Sequence, residues 1–436
     1  MVRPPNTDCV RCKGSRLLCG KTSCPILVKH SILKSIKSPL GDLKGIKRKE
    51  IYSASPPSFF VGYRGYPDIN IGPMLPHSLD TDLEITSLDS PETWLKPGSN
   101  QDSWKNLIDI VKFRSSLVRT THKSNVKDWE DNKILALSQE IAMAEKPVNT
   151  EVELDKIHLN VQVNNHAPPS GPIGKIEKLV ITENPKVNQK VDYVVSDTDL
   201  KASPAIFDYL YKDAHLPTNE IHRVLSAGLL GEKSRRKLVP TRWSITAVDD
   251  TISKGLIEKI KFFPQIGEYL LHEGSYLGNN FFILFVPRRW MYEMMECWDP
   301  HSIWRLLDKN KTNYYIVKDY ELNHGRKTYA SNVTGAYYAA RLGVAEYLTG
   351  IRRQAAVIVI REVNADYLVP LGVWVIRQTV RDALTRKPKT FSSLGEIFKY
   401  ITPKLKIPMK NWIKTSSLIQ EIRTQKTLLD FAPKHI

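Results

Sequence analysis

The spacing of apolar residues along the chain predicts a mixture of strands and helices. Apolar residues recur every three or four positions in residues 104–144 and again in 335–348, which predicts helices. Residues 157–163 alternate between apolar and polar side chains, as a strand with one buried face does. Short apolar runs bounded by turn residues predict further strands at 59–61, 69–71, 279–286 and 355–362.

Weaker patterns complete this prediction. Residues 203–228 are typical of two short helices, and 412–429 of one terminal helix that follows two prolines. No internal repeat is present. The predicted fold class is therefore α/β in the sense of mixed α+β: a central mixed-sheet body, with an N-terminal four-cysteine knuckle and a flexible C-terminal peptide outside it.

The stretch from Pro240 to Asp250 contains a candidate binding surface. Its alternation predicts a strand that places Arg242, Ser244 and Thr246 on one face. Guanidinium and hydroxyl groups arranged in this way hold a nucleotide or a DNA phosphate, while the alternative is a charged surface strand. The candidate nucleic-acid or nucleotide site consists of Lys233, Arg235, Arg236, Lys237, Arg242 and Ser244.

Length and composition exclude several classes of protein. With 42% hydrophobic and 25% charged residues, the 436-residue chain can bury a large core, which excludes wholesale disorder. Its apolar runs are far shorter than the ~20 residues that a membrane-spanning helix needs. Since no apolar stretch follows Met1 as in a secretory signal, we expect a cytoplasmic protein.

The net charge of +17 is carried by the two ends of the chain. Residues 1–50 contain 12 basic and 3 acidic residues, and residues 386–436 contain 11 and 3. The remainder is balanced. Basic ends on a neutral body favour a polyanionic partner, because lysine and arginine that neutralise phosphates release condensed counterions. The alternative is that the charge serves solubility alone.

Four of the five cysteines lie near the start of the chain: Cys9, Cys12, Cys19 and Cys24, spaced C-x2-C-x6-C-x4-C. Four thiolates suit a closed, tetrahedral, structural Zn²⁺ site, and nearby arginine and lysine residues favour the thiolate form. Two disulfides, a redox C-x-x-C pair and an iron–sulfur cluster are the alternatives. Cys297 stands alone and is expected to be a small buried hydrophobe.

The C-terminal peptide carries three residues with a common spacing. Gln425, Leu428 and Phe431 lie three apart, so a 3₁₀ turn stacks them on one side. They resemble the Q-x-x-L-x-x-F-F box of proteins that dock on the sliding clamp PCNA, although Ala432 replaces the second aromatic residue. The alternative is a helix end whose Leu428 and Phe431 fold back on the core.

Catalytic motifs are scarce. The chain contains no phosphate-binding loop of the type G-x-x-x-x-G-K-[ST] and no G-x-G-x-x-G, H-E-x-x-H or G-x-S-x-G pattern. Asp80, Asp82 and Glu84 would share one face of a strand, as in a Mg²⁺-dependent nuclease, and a solvated polar edge is the alternative.

Several stretches together resemble the archaeal Nre family of DNA-repair proteins, of the type that ends in a clamp-binding motif. Besides the four-cysteine knuckle, the stretches that carry the resemblance are Phe60-Val-Gly-Tyr-Arg-Gly-Tyr-Pro, Ile71-Gly-Pro73, Pro240-Thr-Arg-Trp-Ser-Ile-Thr-Ala-Val-Asp249, Gly335-Ala-Tyr-Tyr-Ala-Ala-Arg341, Arg361-Glu-Val and Pro370-Leu-Gly-Val-Trp-Val-Ile-Arg377. The resemblance implies a role in the DNA-damage response, a zinc-binding N-terminus and docking on PCNA. It leaves open whether the protein catalyses a reaction.

The sequence therefore suggests a DNA-repair factor that binds DNA through its zinc module and basic ends and docks on PCNA. The expected organisation is a zinc module (1–27), an Nre N-terminal domain (28–290), an Nre C-terminal domain (291–420) and a PCNA-binding tail (421–436). One alternative is an enzyme with metal-dependent nuclease or nucleotidyl chemistry in the central body. Another is an RNA-binding protein of translation.

Overall fold

The computed structural model describes Cys12, Cys24 and Leu27 together with residues 48–76, 89–127, 132–158, 170–299, 314–364, 366–367 and 369–424. The chain forms two compact units. The first contains the described residues up to Gly255 and the later segment Val369–Trp374, and the second contains Leu256–Leu368 and the residues from Val375 onward. Each unit contains one mixed sheet, which confirms the α+β class. Within the described part of the chain, no helix is both long and apolar enough to cross a bilayer.

The sheet of the first unit has six strands in the order β1-β5-β6-β4-β3-β2. β4 and β6 run parallel, and the other neighbours are antiparallel. One face buries an aliphatic core that includes Leu75, Val118, Ile141 and Leu154. The strands are β1 (Arg48–Ser55), β2 (Phe59–Val61), β3 (Asp68–Pro76), β4 (Leu117–Asn125), β5 (Val148–His158) and β6 (Ile173–Ile181).

Asparagine side chains begin several helices of this unit. Asn106, Asn132 and Asn188 each accept a hydrogen bond from a backbone N–H of the first turn. A π-helical segment, Ala205–Asp213, lies between the fifth and sixth helices. The α-helices are α1 (Pro91–Trp94), α2 (Leu107–Ser115), α3 (Lys133–Met143), α4 (Gln189–Ser196), α5 (Ala202–Pro204), α6 (Thr218–Ser226) and α7 (Thr241–Ile260), the last extending past Gly255.

The helical region predicted for residues 104–144 is wrong in its middle. β4 separates α2 from α3 and pairs with β3 on one side and β6 on the other. Its Val-Arg-Thr-Thr sequence is rich in β-branched residues, which favour strands. Helical spacing on both sides concealed this strand.

The sheet of the second unit also has six strands, in the order β10-β9-β11-β8-β7-β12. β11 lies between β8 and β9, runs parallel to β9, and is buried along its whole length. This burial explains its uninterrupted apolar run. The strands are β7 (Tyr269–Tyr276), β8 (Asn279–Val286), β9 (Met291–Trp298), β10 (Ile316–Glu321), β11 (Ala356–Val363) and β12 (Lys389–Phe391).

The predicted terminal helix is interrupted at Ser416 in the structure. The Glu293 carboxylate on β9 accepts hydrogen bonds from the Ser416 hydroxyl and from the backbone N–H groups of Ser417 and Leu418. Burial raises the pKa of Glu293. The helices of this unit are α8 (Gly335–Ile351), α9 (Trp374–Thr385), α10 (Leu394–Ile401), α11 (Met409–Thr415) and α12 (Ser417–Thr424).

A buried ion pair fixes α8 to β10. Arg341 Nη1 lies 2.7 Å from Glu321 Oε2, and both side chains are only 2% exposed. The Glu321 carboxylate also accepts hydrogen bonds from the Tyr337 hydroxyl and the Trp290 indole. Removing either charge of such a pair costs about 3–5 kcal/mol, because the partner remains buried without a countercharge.

His272 makes the stability of the second unit depend on pH. Its ring is 2% exposed, and Nδ1 lies 3.2 Å from the Ala383 carbonyl oxygen, beside the rings of Phe285 and Tyr347. Burial lowers the pKa of His272 to about 4. The unfolded chain binds a proton near pH 6.5 and the folded chain only near pH 4, so acid favours unfolding between those values.

We therefore expect the free energy of unfolding to fall by about 3 kcal/mol as the pH decreases from about 6.5 to about 4, in addition to the contributions of other groups. Urea unfolding across this range measures the effect. His272→Phe should flatten the dependence, whereas the exposed His324→Gln should leave it unchanged. An equally steep dependence in His272→Phe would contradict the assignment.

Candidate nucleic-acid interface

The basic stretch 233–237 contains side chains with two different roles. Lys233, Arg235 and Lys237 are on the outside of the loop, and Arg235 pairs with Glu232 at 3.1 Å. Arg236, by contrast, directs its guanidinium inward: it donates hydrogen bonds to the carbonyl oxygens of Gly231, Val195 and Asp197 at 2.7, 2.8 and 2.6 Å. Arg236 therefore holds the loop in place.

An open cavity of about 580 Å³ adjoins this stretch, lined by Thr198, Asp199, Glu232, Lys233 and Ser234. Two carboxylates share this cavity with one lysine. Its charge is therefore mixed, and it lacks the concentrated positive charge that phosphate recognition requires.

The strand predicted for residues 240–250 is wrong, because this stretch forms the start of α7. The Pro240 carbonyl accepts hydrogen bonds from the N–H groups of Trp243 and Ser244, which begins the helix. Buried positions follow at Val248 and Ile252, a helical spacing that the polar alternation concealed.

This change of element separates the residues that were expected to share a face. Arg242 and Ser244 lie about 200° apart around the helix. Arg242 is exposed, whereas Ser244 is fully buried and its hydroxyl donates to the Thr241 carbonyl oxygen. Asp249 follows two turns later and is fully buried, whereas Arg242 is exposed.

The turn between β2 and β3 lies against the first residues of α7. The Val61 N–H donates to Thr241 Oγ1 at 2.9 Å. Gly65 has φ +82°, and a Cβ there would lie 2.8 Å from the Asp68 carbonyl oxygen, so the turn requires glycine. These contacts bring together exposed residues of the turn and of the helix.

We call this region the arginine–aromatic surface. It consists of Tyr63, Arg64, Tyr66, Arg119, Arg242 and Trp243. Arg242 Cζ lies 4.8 Å from the centre of the Tyr63 ring, and the rings of Tyr66 and Trp243 are 5.5 Å apart. A hydrogen bond from Arg64, together with the charges of Arg64 and Arg242, lowers the pKa of the Tyr63 phenol.

Arg119, on β4, adds a third guanidinium group. Its Cζ lies 4.4 Å from the centre of the Phe60 ring, and its Nε is buried without a hydrogen-bond partner among the described residues. Burial, and secondly the charge of Arg64, lowers the pKa of Arg119. Within the described ranges, no carboxylate pairs with Arg64, Arg119 or Arg242.

Chemically, this arrangement suits an anion. Like charges held together without a countercharge repel each other, and a phosphate group relieves that repulsion while accepting several guanidinium hydrogen bonds. Lys123 projects from the same face of β4 as Arg119, two positions beyond Thr121, and is exposed. It extends the positive charge along the strand.

The candidate residues derived from the sequence included only Arg242 from this surface. The others were missed although Tyr63-Arg-Gly-Tyr66 already showed a usable signal. Two aromatic residues and an arginine in a glycine-containing turn have no core to enter, so they face solvent or a ligand.

Several predicted site residues lie outside the described part of the chain: Cys9, Cys19, Asp80, Asp82, Glu84, Gln425, Leu428 and Phe431. Of the other two predicted zinc ligands, Cys12 is buried and Cys24 is half-buried. Among the described residues, no group of three or more His, Cys, Asp or Glu side chains could hold a metal ion. Cys297 is fully buried, as expected.

Comparison with protein families identifies two adjacent matches. Residues 18–305 match the family described as archaeal Nre, N-terminal, and residues 321–431 match archaeal Nre, C-terminal. The arginine–aromatic surface lies entirely within the first match. No solved structure matches the chain.

Three relatives align with most of the chain. The DNA repair protein NreA of Archaeoglobus fulgidus is 38% identical and covers 89% of this chain and 91% of its own length. NreB of the same organism is 34% identical over 97% of this chain and 100% of its own length. NreA of Haloferax volcanii is 33% identical over 89% of this chain and 90% of its own length.

Proposed function

The chain belongs to the archaeal Nre family of DNA-repair proteins, and from that premise we propose that it acts in repair by binding DNA directly and docking on the sliding clamp. DNA is bound through the arginine–aromatic surface, the basic ends of the chain and a zinc module. The tail recruits PCNA. Such a protein works at the nucleoid.

The observation that carries DNA binding is the group of three arginines without a carboxylate partner among the described residues. Arg64 and Arg242 are exposed, and Arg119 is partly buried beside Phe60. Phosphates along one strand satisfy several such groups at once. This contact is independent of base sequence and sensitive to salt.

The DNA contact and the PCNA contact strengthen each other because both lie on one protein. A protein bound to PCNA is held near DNA, which raises the effective concentration of each contact for the other. The basic ends, with 12 and 11 lysine and arginine residues in residues 1–50 and 386–436, strengthen the contact with the backbone.

We expect Arg242→Ala to weaken DNA binding about three- to tenfold at moderate salt and to reduce the slope of log K against log[salt] by about one. Fluorescence anisotropy of a labelled oligonucleotide across a series of salt concentrations measures both quantities. Lys254→Ala is a matched control on the same helix, because Lys254 already pairs with Asp250 at 2.7 Å. Equal slopes for all three proteins would refute the phosphate contact.

The PCNA contact predicts an effect of a single aromatic side chain. Calorimetric titration of the full-length protein into archaeal PCNA should show binding that Phe431→Ala weakens at least about tenfold, since the ring would anchor the motif in an apolar pocket. Thr427→Ala, between the spaced positions, serves as the control. Unchanged heat for Phe431→Ala would contradict docking through this motif.

The zinc proposal predicts the metal content. Elemental analysis of the purified protein should find one zinc ion per chain, which is lost in the double variant Cys9→Ser with Cys12→Ser because two thiolates cannot close the site. Cys297→Ala, which changes a buried cysteine of the second unit, should retain zinc. Metal-free wild-type protein, or zinc retained in the double variant, would exclude this site.

A further inference from the structure

Three aromatic rings remain exposed on the arginine–aromatic surface. Tyr63 is 42% exposed, Tyr66 is 43% exposed and Trp243 is 47% exposed. Guanidinium groups alone would suffice for binding a DNA backbone. Three half-exposed rings beside them indicate a ligand that offers flat apolar faces as well as negative charge.

We propose that this surface binds unpaired bases, as found in single-stranded or distorted DNA, with the bases on the rings and the phosphates on the arginines. The inference rests on the proposed DNA-binding function and specifies its substrate class. Every base has a π-face, so stacking on aromatic side chains tolerates any sequence, and arginine next to the ring binds the adjoining phosphate.

The arrangement of the rings leaves faces open for a base. Tyr66 and Trp243 are inclined by 54°, so neither ring covers the face of the other as parallel stacking would. Arg242 lies over Tyr63 at 4.8 Å, which places a positive charge directly beside an aromatic face. An apolar protein partner would leave that charge unpaired, whereas a nucleotide supplies both a phosphate and a base.

The surface is also held in position before any ligand arrives. The Gly62 N–H donates to the Asn70 carbonyl oxygen at 2.8 Å, and the Asp68 N–H donates to that of Gly65 at 2.9 Å. On the helix side, the Trp243 N–H donates to the Pro240 carbonyl oxygen at 2.7 Å. Groups that are already ordered lose little conformational freedom on binding, which favours affinity.

Duplex DNA cannot use these rings in the same way. Its bases are stacked inside the helix, so a ring reaches a base face only after that base has been unstacked. The arginines contact phosphates in either form. The surface should therefore discriminate between paired and unpaired DNA through its aromatic residues and bind the backbone through its charges.

The test compares single-stranded DNA with a duplex of the same length and sequence, using fluorescence anisotropy and the full-length protein. We expect the wild-type protein to bind the single strand at least about tenfold more tightly, because one stacked base corresponds to about 5- to 150-fold in affinity. Trp243→Leu, which keeps an apolar side chain but removes the ring, should lower single-strand affinity about tenfold and change duplex affinity less than about twofold.

Two further variants separate stacking from a folding defect. Trp243→Phe keeps an aromatic face and should retain most of the single-strand affinity, but it should lose part of the tryptophan quenching that single-stranded DNA causes in the wild-type protein. Tyr52→Ala removes an aromatic residue that is 66% exposed on β1 and hydrogen-bonded to Glu50. It should leave both affinities unchanged.

Other outcomes overturn the inference. If wild-type protein binds both forms equally, or if Trp243→Leu weakens both forms equally, the rings do not select unpaired bases. The proposed DNA-binding function would still stand if Arg242→Ala reduces the salt slope. If the wild-type protein binds neither form of DNA, both proposals fail together.

Discussion

Three like charges lie on the arginine–aromatic surface without a carboxylate partner among the described residues, and their mutual repulsion is the constraint on which the candidate site depends. Burial, and secondly the charge of Arg64, lowers the pKa of Arg119, and Arg64 and Arg242 together lower that of Tyr63. Arg119 is partly buried, so water screens its charge poorly and the repulsion is strongest there. The hairpin β2–β3 and the start of α7 hold these groups together nonetheless. A polyanion bound as we propose would relieve the repulsion, so that an unfavourable feature of the folded chain would contribute to affinity.

Arginine has the opposite role in the core of the second unit. Arg341 and Arg361 are buried there, and each pairs with a buried glutamate, Glu321 and Glu296. Their charges are neutralised inside the protein and serve to hold strands and helices together. The contrast supports assigning the phosphate contact to the arginine–aromatic surface, where the guanidinium groups keep donors available to a ligand.

The arginine–aromatic surface also changes how the charge distribution is understood. Counted along the chain, the excess of positive charge lies at the two ends, and the residues between them are balanced. Folding nevertheless concentrates three guanidinium groups within that balanced part, and no carboxylate of the described residues forms an ion pair with them. In the proposed function, the basic ends would attract DNA over a distance, whereas the fixed surface would distinguish one form of DNA from another. Clamp docking would bring both to a replication or repair site.

The sequence by itself determined the fold class, the family and some of the strands, because these follow from local periodicity and from contiguous motifs. The run at 279–286 and the small-residue helix from Gly335 are found as predicted. Local periodicity failed at β4 and at α7. In both, the element is decided by its partners: β4 by the strands on either side, and α7 by the buried positions that recur every four residues.

Only the tertiary structure decided which residues form the candidate site. Arg64, Arg119 and Arg242 are far apart in the chain, and strand pairing with one hydrogen bond from Val61 to Thr241 brings their elements together. The structure also shows that Ser244 and Arg236 are not available to a ligand. Ser244 is fully buried, and the Arg236 guanidinium is hydrogen-bonded to three backbone carbonyl oxygens. The charge of a residue can be known from its type, but whether that charge is free for a ligand depends on its neighbours in space.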